Sequence, residues 1–123
     1  MASVKRFNDL KVWQLGVKLS VEVYSATKNY PKEEVFGLAN QSRRAAVSIP
    51  SNIAEGQGRG TTKDFIHFLK IARGSLGELE TQLFIAHELH YIESSVFSNL
   101  CQLLSEEGRM LQGLINALER PKS

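Results

Sequence analysis

Three stretches of this chain hold residue types that could do chemistry, and the spacing within each decides what that chemistry can be. Gly56-Gln57-Gly58-Arg59-Gly60-Thr61-Thr62-Lys63 has the glycines and the lysine of a phosphate-binding loop. Such a loop needs Gly-Lys followed by Ser or Thr, so that backbone N–H groups wrap the phosphates while the lysine reaches them. Here the threonines precede Lys63, and the glycines alternate without the wider gap of a dinucleotide fingerprint. A glycine-rich turn remains. Arg59 and Lys63 stand in it beside the free N–H groups of a helix start, where an anion can be held. His87-Glu88-Leu89-His90 spaces its histidines by three, not by the four of a zinc-protease helix. Asp64 and His67 supply one carboxylate-x-x-histidine step, short of the set that holds metals in helical bundles. Ser25-Ala26-Thr27-Lys28 has Ser-x-x-Lys spacing without the companion motifs of that chemistry. Cys101 lies among leucines and reads as a small core residue, and a lone cysteine excludes a disulfide framework or a multi-thiolate zinc site. No catalytic residue, metal, cofactor or small-molecule substrate is expected.

The basic residues offer a different chemistry. Arg43, Arg44, Arg59, Lys63, Lys70 and Arg73 cluster in the middle of the chain, and Lys63, His67 and Lys70 share one helical face. Opposed helices would bring Arg43 or Arg44 near Arg73. These six are therefore the candidate nucleic-acid or anion contacts. An ion-pair network with Glu55, Glu78 and Glu80 is the other arrangement open to them. The net charge is +2, but the first 60 residues carry +4 and the rest −2. A basic face of this kind meets phosphates or an acidic partner.

The elements that must position these groups are all helical. Apolar residues recur at steps of three and four throughout, and no stretch alternates with period two. Four helices are expected, at about 9–29, 32–55, 62–91 and 95–119, folding as an all-α, up-down antiparallel four-helix bundle of one domain. The first has two apolar stripes, Leu10-Trp13-Val17-Val21-Tyr24 and Val12-Leu15-Leu19-Val23, and so wide an arc packs on two sides. The second contains Pro50, which removes a hydrogen bond and crowds the carbonyl four residues back. One helix kinked at Pro50 is favoured over two helices, with Ser48, Ser51 and Asn52 as partners for the freed backbone groups. Gly56 is expected to end it. Thr61 and Asp64 have capping-box spacing at the start of the third helix. Gly74 and Gly77 lie inside that helix, which suggests that another backbone approaches there. No run is long and apolar enough to cross a membrane, and the first residues show no secretory signal core.

The run Ser48-Ile49-Pro50-Ser51-Asn52-Ile53-Ala54-Glu55-Gly56, followed by Arg59, resembles the signature of a bacterial family. Its members are four-helix bundle proteins encoded in intervening sequences of 23S ribosomal RNA genes. The similarity extends from Phe7-Asn8-Asp9-Leu10 through Arg43-Arg44-Ala45-Ala46 to Ala72-Arg73-Gly74-Ser75-Leu76 and Glu78-Leu79-Glu80-Thr81-Gln82. The resemblance implies a cytoplasmic homopentamer without catalytic residues. It also implies a relation to the accessory protein of diversity-generating retroelements, a basic pentamer that binds a reverse transcriptase and nucleic acid. RNA, DNA or a reverse transcriptase are thus the expected partners besides the chain itself. Within the signature, Ser48, Pro50, Asn52, Glu55 and Gly56 are expected to serve structure.

Overall fold

The computed structural model describes residues 6–121. Four helices follow one another: α1 (Lys11–Thr27), α2 (Leu38–Gly58), α3 (Thr62–Glu88) and α4 (Ser94–Glu119). Short three-ten turns at Phe7–Asp9 and Lys32–Glu34 precede α1 and α2. The helices pack as a four-helix bundle, in which α2 and α3 share the most extensive contact. Among the described residues there is no strand, and no helix is long and apolar enough to cross a membrane.

The core follows the periodic stripes. Leu19 and Val23 of α1, Ile49 and Ile53 of α2, Leu69, Leu79 and Leu83 of α3, and Leu111 and Ile115 of α4 are fully buried. Each such side chain contributes roughly 1.5–3 kcal/mol by leaving water. Cys101 lies at the edge of this core and is half-buried.

Several boundaries differ from the sequence expectation. The second helix does not begin at Lys32, because the chain turns at Gly37 (φ −108°, ψ −117°). The Glu34 carboxylate folds back over that glycine and accepts the Leu38 N–H at 2.9 Å, which satisfies a free donor at the new helix start. A Cβ at residue 37 would stand 2.7 Å from Glu34 Oε1. At the other end, Gly56 does not stop α2; the helix runs on to Gly58, and Gly60 (φ +87°) makes the turn. The Thr61 hydroxyl caps α3 by accepting the Asp64 N–H at 3.1 Å. α3 ends at Glu88, three residues before the expected limit, where His90 (φ 64°) takes the left-handed geometry usually left to glycine.

α2 is one helix, continuous through Pro50. The proline has no N–H for the Ala46 carbonyl, and the substitute comes from a neighbour. The Ser20 hydroxyl of α1 lies 3.0 Å from both the Ala46 and the Gly16 carbonyl oxygens and shares its proton between them. The serines of α2 itself do not fill this role.

Candidate functional site

The six basic residues do not form one patch within the chain. Arg43 points toward α1, where its Nε donates to Thr27 Oγ1 at 2.8 Å and its guanidinium covers the Tyr24 ring at 4.8 Å. Arg73 points the opposite way and donates to Gln112 Oε1 of α4 at 2.8 Å. Lys70 pairs with Glu119 of α4 at 2.9 Å. Arg59 pairs with Glu55, one turn earlier, at 2.8 Å and covers the Phe68 ring at 4.8 Å. Arg44 and Lys63 are exposed, and among the described residues neither forms an ion pair. Of the expected acidic partners only Glu55 is engaged among the described residues. Such half-exposed pairs contribute about 0–1 kcal/mol each.

The signature run resolves into separate jobs. Ser48 Oγ lies 2.9 Å from Ser75 Oγ of α3, and Asn52 Nδ2 donates to the Ser48 carbonyl at 2.8 Å and to Ser48 Oγ at 2.9 Å. This polar chain ties α2 to α3 at a half-buried position. Pro50 is buried beside Gly16 of α1. Gly56 is the contact point of α2 with α3: a Cβ there would stand 2.6 Å from Phe68 Cβ. Asn52→Ala should cost about 1–2 kcal/mol, measured by urea denaturation, because the Ser48–Ser75 pair loses its third member.

Two features escape the sequence reading. The first is an apolar groove between α1 and α2, about 340 Å³, lined by Val17, Ser20, Val21, Tyr24, Val47 and Pro50. Val21 is 60% exposed, Tyr24 44% and Val47 41%. The wide apolar arc of α1 pointed to such a face; the contribution of α2 through Val47 and Pro50 carried no periodic signal. The second is Glu107 in α4, which is fully buried with neither carboxylate oxygen hydrogen-bonded. Burial first, and the Glu106 charge second, push its carboxyl up to about 8. It packs closely against Gly16: a Cβ there would lie 3.0 Å from Glu107 Oε2, so a side chain at residue 16 would press on the carboxyl. Glu107 occupies a core register, three after Leu104 and four before Leu111, and that register was the available signal.

At the bundle end, Tyr91 Oη donates to Glu34 Oε2 at 3.0 Å, which with burial and the nearby carboxylates raises the Tyr91 phenol. Burial, then the Glu34 charge, push Tyr30 to about 12. Both phenols stay protonated and act as struts. His87 stacks on Phe97 at 4.1 Å.

Comparison with known proteins gives two findings. The model of the family described as 23S rRNA-intervening sequence protein matches residues 8–113. A solved structure from Bacteroides thetaiotaomicron, described as a protein with unknown function from the S23 ribosomal protein family, superposes with a TM-score of 0.78 at 24% identity. The match covers 85% of this chain and 95% of that one, and it shows the same fold. No curated protein matches the chain.

Proposed function

Because the chain belongs to the 23S rRNA-intervening sequence protein family, we propose that it is a non-enzymatic helical protein of the bacterial cytoplasm that assembles with copies of itself, five to a ring as the family resemblance implies. The observation that carries this reading is the groove between α1 and α2. Folding of one chain leaves Val21, Tyr24 and Val47 together in water, and contiguous apolar surface of this kind marks an interface. Charged side chains there should undo the assembly without undoing the fold, since all three positions are already exposed. A Val21→Glu/Val47→Glu variant is expected to keep its helical circular dichroism. Its mass by light scattering should fall from about 69 kDa, five times the chain's 13.8 kDa, toward that of one chain. An unchanged mass would remove the groove from the interface.

A second reading rests on Lys63, exposed and in no ion pair among the described residues, with Arg59 near it in the α2–α3 turn. One copy of this group would grip phosphates weakly. Repeated around an assembly, it gains from effective concentration on a single strand of RNA or DNA. The start of α3 adds little, because Asp64 already stands in its first turn and Thr61 occupies the Asp64 N–H. Binding followed by fluorescence anisotropy should be sequence-tolerant and fall with salt by about 0.7–0.9 log units per log unit for each neutralised phosphate. Arg59→Ala/Lys63→Ala should abolish it while the assembly persists. Unchanged binding in that variant, or none by the parent at micromolar protein, ends this reading and any role of the turn in holding a reverse transcriptase's nucleic acid.

A further inference from the structure

We propose that the α1–α2 groove is the receptor for the outer face of α3 of a neighbouring copy, so that assembly is head-to-tail and is steered by opposite charges on the two surfaces. The inference rests on the assembly reading and names the two halves of its interface. The groove has a basic rim. Arg43 lies over the Tyr24 ring, Lys28 follows Tyr24 by one turn, and Arg44 precedes Val47 by three residues. Lys63, His67 and Lys70 occupy the beginning of the outer face of α3, with Lys70 paired to Glu119, and the rest of that face is acidic and apolar. Ile71, Gly74, Glu78, Thr81 and Ile85 follow one another at steps of three and four, all exposed, and Glu88 continues the line. Lys28, Arg44 and Glu78 form no ion pair among the described residues, and Glu88 approaches only His87, at 3.9 Å. Opposite charges left unpaired on two apolar surfaces of the same chain are complementary to each other and not to themselves.

The glycines of α3 support the same pairing. A Cβ added at Gly74 or Gly77 would meet nothing within 4 Å in the chain, so neither glycine is needed for packing inside the bundle. Each weakens the helix relative to alanine. A bare stretch of backbone between Ile71 and Ile85 lowers the ridge where the groove must receive it. Two different surfaces in contact make a heterologous interface, which closes into a ring when the rotation per copy allows.

Charge reversal and rescue decide the matter. Arg44→Glu and Glu78→Arg both alter exposed side chains, and circular dichroism should show both variants fully helical. Each alone should weaken assembly at least tenfold, read as a shift toward the single-chain mass in dilution series by light scattering at low salt. The double variant restores opposite charges across the seam and should regain the parent's mass. If both single variants assemble like the parent while Val21→Glu/Val47→Glu does not, the groove is used but α3 is not its occupant, and the inference is overturned. If the double variant stays dissociated, the two residues do not meet, and the inference is overturned as well. A parent that is itself a single chain at micromolar concentration removes the underlying assembly reading instead.

Discussion

Replacing Glu107 by glutamine is expected to abolish most of the fall in stability that the bundle undergoes between about pH 5 and pH 8. The carboxyl is fully buried and unpartnered, and its value is raised from 4.5 to about 8 in the fold. Below pH 4.5 both the folded and the unfolded chain hold the proton, so stability is at its full value. Between the two values the unfolded chain ionises while the folded chain keeps its proton, and stability falls as pH rises, by up to about 1.4 kcal/mol per pH unit. Above about 8 both states are ionised and the loss stops growing. Integrated over the window, the loss is on the order of 4–5 kcal/mol. Among the described residues no compensation comes from the other helices, whose buried polar residues are the uncharged Ser20, Thr27, Ser42 and Gln82. Urea denaturation at intervals from pH 4.5 to 8.5 should show the parent steeply dependent and the glutamine variant nearly flat. Parallel curves would mean that the carboxyl reaches water or a cation in solution.

Gly56→Val is the second substitution with a large expected effect, for a steric reason. The Cβ position of residue 56 lies 2.6 Å from Phe68 Cβ and 3.4 Å from the Phe65 backbone, so neither neighbour can rotate away. α2 and α3 would have to separate at this contact, and overpacking of this kind costs about 1–3 kcal/mol. Gly58→Ala is the matching control, because its Cβ meets nothing within 4 Å. It should be neutral or slightly stabilising by urea denaturation. Equal losses in both variants would assign the effect to backbone entropy and not to the α2–α3 contact.

The all-helical bundle was legible because steps of three and four survive in every segment, and Thr61–Asp64 announced a helix start that the structure contains. The start of α2 was not legible. Val35, Leu38 and Ala39 keep helical spacing, and nothing in that spacing reports a Glu34 carboxylate folding over Gly37 to take the Leu38 N–H. Pro50 announced a lost hydrogen bond, but its replacement, Ser20, lies thirty residues earlier and is placed by tertiary packing alone. Gly56 has the local look of a helix stop, but its role is set by the approach of Phe68, which local sequence does not report. Arg43, Arg44 and Arg73 lie on the helices that the spacing predicts, yet spacing says nothing of how Arg43 and Arg73 diverge, one toward Thr27 and the other toward Gln112.

One folded chain is, on this reading, an incomplete unit whose α1–α2 groove is covered by another copy. Sedimentation equilibrium of the unmodified protein at micromolar concentration and neutral pH tests this most directly. A single species near 69 kDa, five chains of 13.8 kDa, is the expected result. A stable 13.8 kDa species, with Val21, Tyr24 and Val47 left in water, would contradict it.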